Sequence, residues 1–106
     1  MTQVTMIWDR LRLLVDGHAG HGSEGNDIVC AAESMLVSAL IGALEDAQER
    51  GRLNFGWKRD GAKVIVWADP NISNLNECKA YFRMCAKGFR MLQGEYPENV
   101  AIKDVM

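Results

Sequence analysis

Apolar and polar residues at the start of the chain follow the pattern of two short strands. The first run covers residues 4–8 and the second residues 11–15, and both are rich in β-branched and large apolar side chains. Asp9 and Arg10 separate the two runs, which predicts a tight antiparallel hairpin.

A long helical pattern follows a segment rich in glycine. Four glycines between positions 17 and 25 predict a mobile loop, because neither a helix nor a strand tolerates so many of them. From residue 28 onward, apolar side chains recur every three or four positions, with Asn26 or Asp27 available as the N-cap. The pattern predicts a helix to about Arg50, where Gly51 ends it.

A second hairpin is predicted after this helix. Residues 53–57 and 64–68 alternate between apolar and polar on either side of Asp60-Gly61, a dipeptide typical of tight hairpin turns. We therefore expect two more antiparallel strands.

The last third of the chain predicts a helix and a final strand. Asn74 followed by Glu77 resembles a capping box, and the helix that it begins ends near Gly94. Pro97 cannot continue the helix, and residues 100–105 have the pattern of a strand. The order β-β-α-β-β-α-β predicts an α+β fold, a two-layer sandwich with two helices packed on a mainly antiparallel sheet. At 106 residues we expect a single domain spanning residues 1–106.

Composition narrows the class of protein. Apolar residues make up 48% of the chain, enough for an ordinary core, so disorder is not expected. Twelve Lys and Arg against fourteen Asp and Glu give a net charge of −2, so bulk charge predicts no nucleic-acid partner. The longest nearly apolar stretch, residues 35–44, is about half of what a membrane span needs, so we expect no membrane association. Residues 1–8 lack the pattern of an export signal, which predicts a cytoplasmic location.

The three cysteines are too few, and odd in number, for a secreted disulfide scaffold. Cys78 and Cys85 lie seven residues apart on the apolar face of the second helix and are predicted to pack in the core. Cys30 falls in the first turn of the first helix, where unpaired backbone amides and the helix dipole favour a thiolate. The dipole supplies only about 0.3–1 kcal/mol, so a strong nucleophile also needs a neighbouring base.

Two histidines in the glycine-rich loop, His18 and His21, are available as that base, which makes a cysteine–histidine catalyst one interpretation. Two alternatives stay open on the residues alone. Cys30 could be a small buried apolar residue, or His18, His21 and Cys30 could bind zinc, although no clear fourth ligand accompanies them. The glycines match no phosphate-binding motif, so no nucleotide or other cofactor is expected.

The loop and the start of the helix resemble a known family. Residues 17–19 read Gly-His-Ala, and after a short variable loop residues 25–32 read Gly-Asn-Asp-Ile-Val-Cys-Ala-Ala, with Ser34 two positions further on. This run is similar to the G-H-A…G-x-D-I-V-C-A-A-x-S signature of the ribosomal-processing cysteine protease family Prp. The predicted order of elements is similar over essentially the whole chain.

The resemblance implies a small cytosolic bacterial peptidase that forms homodimers. Such an enzyme removes the N-terminal extension of a large-subunit ribosomal protein before ribosome assembly, so the implied partner is that ribosomal protein precursor as a peptide substrate. A noncatalytic or prophage-type relative, which binds or processes a different protein, is the alternative.

Carried over by position, the resemblance makes Cys30 the nucleophile and His18 its base, with Asp27 and Ser34 as supporting polar residues. Asp27 could cap the helix, orient His18, or do both. We expect amides near the start of the helix to stabilise the oxyanion. The resemblance assigns no metal. The glycines suit a loop that closes over an extended peptide; they are Gly17, Gly20, Gly22 and Gly25.

Glu33 departs from the family pattern, which usually has an aliphatic residue at this position. A carboxylate three residues from the proposed nucleophile raises the pKa of the thiol if it faces the site. The substitution leaves His18 and Cys30 in place but puts the packing, the dimer contact or the substrate preference beside them in question.

Overall fold

A computed structural model describes residues 1–23 and 25–106, and its elements follow the predicted order. The strands are β1 (Thr2–Ile7), β2 (Arg12–Asp16), β3 (Leu53–Asp60), β4 (Lys63–Pro70) and β5 (Val100–Val105), and the helices are α1 (Ile28–Glu49) and α2 (Leu75–Glu95). A short 3₁₀ turn at Ile72–Asn74 leads into α2.

The five strands form one sheet in the order β3-β4-β2-β1-β5. All neighbouring strands are antiparallel except β1 and β5, which run parallel with Thr2 opposite Val100. β4 runs in the same direction as β1, and the chain passes from β4 through α2 to β5. A crossover of this kind joins parallel strands, so β5 lies parallel to β1. The prediction of two helices on a mainly antiparallel sheet is confirmed.

The core lies where alternate strand positions meet the apolar stripes of both helices. Buried side chains of the sheet and of the helices form a single cluster. The two cysteines of α2 belong to it, as predicted, with Cys78 fully buried and Cys85 5% exposed. Burial raises the pKa of Cys78 to about 11 and that of Cys85 to about 12, so both are unreactive packing residues. The largest fully buried side chains are those of Phe82, Phe89, Met6, Leu13 and Leu44.

The turn of the second hairpin lies one residue later than predicted. Asp60 pairs with Lys63, which leaves Gly61 and Ala62 as the two turn residues. Gly61 has a φ of 59°, and glycine with positive φ at the first of two turn positions is typical of a type II′ turn. The glycine therefore fits as the first turn residue, and Asp60 completes the strand.

The predicted capping box at α2 is wrong. Asn74 is the N-cap residue, but its side chain makes no capping hydrogen bond. The preceding 3₁₀ turn gives Asn74 a φ of −113° and a ψ of 13°, away from the extended backbone that a capping side chain needs. Glu77 instead accepts a hydrogen bond from the Arg52 guanidinium at 2.6 Å.

Helix α1 is long and apolar enough, by length and composition, to cross a membrane. It has 22 residues, and its most apolar 18-residue window has a mean hydropathy of 1.7, with 28% of that window buried in the fold. The nearly apolar run of residues 35–44 is shorter than this helix, whose average also takes in the apolar residues that precede Glu33. Core helices of folded domains meet the same criterion, and α1 packs Val29, Leu40 and Leu44 into the core.

Candidate active site

The start of α1 is organised by the carboxylate of Asp27. Its Oδ1 accepts hydrogen bonds from the backbone N–H groups of Val29 at 2.9 Å and Cys30 at 3.1 Å, which is the geometry of an N-cap. Its Oδ2 accepts from the N–H groups of His21 at 2.9 Å and Gly22 at 3.1 Å. Asp27 thus ties the glycine-rich loop to the turn that carries Cys30.

Four backbone hydrogen-bond donors lower the pKa of the Asp27 carboxyl group. Burial by itself raises the pKa of the carboxyl group, but the hydrogen bonds from Cys30, Gly22, His21 and Val29 stabilise the charged form more strongly and lower the pKa to about 2. Both oxygens of Asp27 are engaged by the backbone. No hydrogen bond joins Asp27 to the His18 ring in the described part of the chain.

The loop between β2 and α1 is anchored at several points. Gly17 donates its N–H to the Ala62 carbonyl at 3.1 Å, and Asn99 donates its side-chain amide to the Ala19 carbonyl at 2.9 Å. Ala19 is 1% exposed. Three of the glycines need their freedom of conformation here, since Gly17, Gly20 and Gly25 have φ values of 97°, 72° and 84°. The predicted loop is therefore present, but over residues 17–22 hydrogen bonds hold it in place.

The Cys30 thiol lies at the edge of the folded core and is partly exposed. Its Sγ accepts a hydrogen bond from the Ala19 N–H at 3.4 Å. Burial raises the pKa of the thiol above its ordinary value; the Ala19 N–H lowers it, and the nearby charges of Asp27 and Glu33 raise it further. The environment of Cys30 thus keeps the free thiol protonated near neutral pH, and a nucleophile here needs a base to remove the proton.

Two adjoining cavities share His18, Cys30 and Ser34 as lining residues. One, of about 440 Å³, is bordered on the loop side by Gly20 and Gly22, and by Gly25 and Asp27. The other, of about 150 Å³, extends from Gly17 toward the β3–β4 turn. The structure thus brings the predicted residues to one continuous cleft.

The two histidines of the loop have different surroundings. His18 is exposed and lines both cavities beside Cys30, without a hydrogen bond between ring and thiol among the described residues. The His21 ring instead packs edge-on against Tyr96, with ring centroids 4.9 Å apart. Residues 1–23 and 25–106 contain no group of three His, Cys, Asp or Glu side chains placed to hold a metal ion.

Ser34 and Glu33 lie one turn after the thiol and have different environments. Ser34 is exposed and lines both cavities. Glu33 is 5% exposed and lines the smaller cavity; its Oε1 accepts a hydrogen bond from the Thr2 hydroxyl at 2.9 Å, while its buried Oε2 has no partner. Burial raises the pKa of Glu33, although the Thr2 hydrogen bond lowers it.

One wall of the cleft was missed by reasoning from the sequence. Arg59, Gly61 and Ala62 from the β3–β4 hairpin line the smaller cavity opposite the thiol. The hairpin itself was predictable, but its position over the loop depends on the β2–β4 pairing and on the hydrogen bond from Gly17 to Ala62. Those contacts join residues more than 40 positions apart, and no local pattern signals them.

Hydrogen bonds to Asp27 engage three of the backbone amides that were predicted to donate to the oxyanion. The N–H groups of Val29 and Cys30 donate to the Asp27 side chain, and that of Ala31 donates to the Asp27 carbonyl at 3.1 Å. The Ala19 N–H, from the loop, is the backbone donor to Cys30 Sγ.

The fold and the cleft together define a class of protein. An antiparallel sheet covered by two helices presents a cysteine in the first turn of α1, on the same cleft as a histidine, which is the arrangement of a thiol-dependent hydrolase. The family model described as "Cysteine protease Prp" matches residues 1–101. The chain therefore belongs to the Prp family of cysteine proteases.

Relatives and solved structures agree with this family. The ribosomal processing cysteine protease Prp of Staphylococcus aureus is 31% identical over 94 residues, covering 85% of this chain and 82% of that protein. The crystal structure of the S. aureus protease with a covalently linked product peptide matches with a TM-score of 0.73 at 22% identity, covering 98% of this chain and 99% of that one. A second structure, with a substrate peptide, gives a TM-score of 0.72 at 20% identity with the same coverage. Because both identities are below 25%, these two structures establish the fold of this chain and no more.

Proposed function

We propose that this protein is an endopeptidase that removes the N-terminal extension of a large-subunit ribosomal protein by means of Cys30 and His18. The observation that carries the proposal is the cleft that both side chains line, with an exposed imidazole on the same cleft as the thiol. The curated S. aureus relative is a ribosomal processing protease, and the S. aureus crystal structures contain substrate or product peptides. These relatives support the substrate class.

The reaction begins when the His18 imidazole takes the proton from the Cys30 thiol. The thiolate attacks the scissile carbonyl carbon, and a C–S bond forms as the carbonyl π electrons move to oxygen. When the tetrahedral intermediate collapses, the C–N bond breaks and the amine leaves with the proton held by His18. Water, deprotonated by His18, then hydrolyses the thioester and restores the thiol.

Ala19 supports this chemistry through its backbone. Its N–H donates to Sγ at 3.4 Å, so it stabilises the thiolate before attack and lies within reach of the oxyanion that develops next to the sulfur. Asn99 holds the Ala19 carbonyl at 2.9 Å and fixes the peptide plane. Asp27 acts as a positioning residue, because its four hydrogen bonds fix the loop relative to the helix.

The extended substrate passes between the loop and the β3–β4 turn. Gly20, Gly22 and Gly25 border the larger cavity without side chains of their own, so a peptide backbone can approach the loop closely. Ser34 offers a hydroxyl to the substrate on the floor of both cavities.

The test of this function is cleavage of a candidate ribosomal protein precursor, followed by intact mass. We expect the wild-type protein to shorten the precursor at a single site, Cys30→Ala to abolish cleavage, and His18→Ala to slow it by about 10²–10⁴-fold. His21→Ala is the matched control, since His21 belongs to the same loop but contacts Tyr96, and it retains most of the activity. Cleavage by the Cys30→Ala variant would refute the nucleophile, and binding of the precursor without cleavage by wild type would favour a noncatalytic relative.

We further infer that the protein works as a homodimer in the cytoplasm. Large apolar side chains stay exposed on the two helices, with Met35 at 68%, Met84 at 80% and Met91 at 66% exposure, and a dimer contact on this side would cover them. Free thiols in the core agree with a reducing compartment. Sedimentation at micromolar concentration checks the dimer: a single monomeric species would contradict it, and Met84→Lys should shift a dimer toward monomer.

A further inference from the structure

A cavity of about 640 Å³ among the described residues lies away from the thiol. β1 begins at Thr2, which contacts Glu33 beside the active cleft, and ends at Ile7, so the residue that follows it, Trp8, lies at the opposite end of the sheet. The groove is formed there between the ends of β1 and β5 and one face of α2. Its lining residues are Trp8, Asp9, Lys79, Arg83, Lys87, Arg90, Asp104 and Met106.

The wall that α2 contributes is a row of cations. Lys79, Arg83, Lys87 and Arg90 are separated by four, four and three positions, which places them on one face of the helix over a length of about 16 Å. Arg90 is paired with Asp104 at 2.6 Å. Within residues 1–23 and 25–106, the other three cations of the row have no ion pair. Asp9 and Asp104 also line the groove, so four cations face two carboxylates there, and the groove is locally positive although the net charge of the chain is −2.

An aromatic ring is fixed next to this row. The Trp8 indole Nε1 donates to Asp104 Oδ1 at 2.9 Å, while Arg90 donates to Asp104 Oδ2. One carboxylate thus holds the indole and a guanidinium together at the groove, and its own charge is compensated by Arg90. Trp8 is partly exposed and packs its inner part against the core.

We propose that this groove binds single-stranded nucleic acid, with the phosphates along Lys79, Arg83 and Lys87 and a base stacked on Trp8. A straight row of unpaired cations beside a rigid aromatic ring is the combination that recognises a flexible polyanion with flat bases. An acidic peptide would use the cations but not the ring, so the tryptophan favours nucleic acid. The site is separate from the peptidase cleft, and RNA and DNA share its chemistry.

The probe is a fluorescent ten-nucleotide oligouridylate, titrated with the full-length protein and followed by anisotropy, with oligothymidylate of equal length to distinguish RNA from DNA. We expect the protein to bind the oligonucleotide. A plot of the logarithm of the association constant against the logarithm of salt concentration should have a slope of about −2, because three phosphates of a single strand are contacted. The triple variant Lys79→Gln/Arg83→Gln/Lys87→Gln should weaken binding at least about tenfold and flatten this slope. Trp8→Leu, which keeps an apolar side chain against the core, should weaken binding with the slope unchanged.

The matched control is Arg50→Gln/Lys58→Gln/Lys63→Gln, which removes the same charge from exposed positions outside the groove. It should bind like wild type. Three outcomes would overturn the proposal. They are an equal loss of oligonucleotide affinity in both triple variants, no binding by wild type at 50 mM salt, and tighter binding of polyglutamate than of the oligonucleotide. Precursor cleavage is measured in parallel and should not change in the Lys79→Gln/Arg83→Gln/Lys87→Gln variant, so the groove and the peptidase function succeed or fail separately.

Discussion

The side chain of Glu33 lies on the same cleft as the Cys30 thiol and is held there by the Thr2 hydroxyl. Its charge is one cause of the raised pKa of Cys30, together with burial, which contributes most, and Asp27. In the proposed mechanism, a thiol with a raised pKa depends more on His18 for its activation. Glu33 therefore affects the reactivity of Cys30 without touching the sulfur in a hydrogen bond.

Removal of the charge at position 33 is expected to make the thiol more acidic. Glu33→Gln keeps the size and the acceptor for Thr2 while it removes a like charge that opposes the thiolate, so the pKa of Cys30 falls. The measurement is the rate of alkylation by iodoacetamide against pH, with the midpoint expected to move to lower pH.

Glu45→Gln is the control for this shift, because Glu45 is exposed several turns further along α1. It should leave the midpoint where it is. Cys78 and Cys85 are buried, so the alkylation of the folded protein reports on Cys30. An unchanged midpoint in Glu33→Gln would mean that the carboxyl group carries no charge when the thiol titrates.

Asp27 links the same site to stability in acid. Its pKa is about 2 in the folded protein, below the ordinary value of 3.8, so the ionised carboxylate stabilises the fold at pH values above about 4. That contribution is lost as the pH falls through the folded value of about 2. Protonation would remove the charge that four backbone donors stabilise.

Asp27→Asn should therefore lower Tm by several degrees at neutral pH and by progressively less as the pH falls from about 4 toward 2. Thermal unfolding followed by circular dichroism at a series of pH values measures the difference from wild type. Asp16→Asn, at an exposed carboxylate of β2, is the control and should give a small difference at neutral pH. A constant penalty for Asp27→Asn down to pH 2 would contradict the depressed pKa.

Single residues of the site were predictable where their role is local. The cap at Asp27 and the place of Cys30 follow from the sequence around the start of α1. The partner of Glu33, by contrast, is Thr2, 31 positions away, and the donor to Cys30 Sγ is Ala19, 11 positions away across the loop. Such contacts depend on the packing of distant segments.

At the scale of elements, the sequence predicted both hairpins and both helices because periodicity and turn residues are local signals. The parallel pairing of β5 with β1 depends on where the crossover through α2 delivers the chain, which periodicity does not encode. The capping box failed for a similar reason, since the 3₁₀ turn before α2 changes the backbone of Asn74 and frees Glu77 to pair with Arg52.

The packing of the two helices depends on a glycine of α2. A Cβ added at Gly88 would lie 2.3 Å from Cδ2 of Leu36 on α1, so the absent side chain is what lets the helices approach. Gly88→Ala forces Leu36 to move, and we expect a loss of about 1–3 kcal/mol in the free energy of unfolding, partly offset by the helix propensity of alanine.

Gly42→Ala is the matched control, because a Cβ at Gly42 of α1 meets nothing within 4 Å. Alanine there should stabilise the protein by about 0.5–1 kcal/mol. Denaturant unfolding measures both variants, and a Leu36→Ala background should abolish the penalty of Gly88→Ala. If Gly88→Ala stabilises as much as Gly42→Ala, the close approach is not a constraint on the helix pair.

At the scale of the whole molecule, the active cleft has walls from two parts of the chain. The loop and the start of α1 form one wall, and the turn of the β3–β4 hairpin, with Arg59 and Ala62, forms the other. The hydrogen bond from Gly17 to the Ala62 carbonyl joins the walls at their base. A peptide that lies in the cleft as proposed would contact both walls, so its effect should reach the hairpin as well as the loop.

Hydrogen exchange of the Cys30→Ala variant, with and without an uncleaved precursor peptide, tests this arrangement. We expect binding to slow exchange in residues 18–22 and in residues 59–62 together, because the peptide bridges elements that are separate in sequence. Residues 79–90 of α2, which line the groove at the far end of the sheet, should exchange at the same rate with and without peptide. Protection of the loop alone would confine the substrate to the larger cavity, and the smaller one beside Glu33 would then have no part in peptide binding.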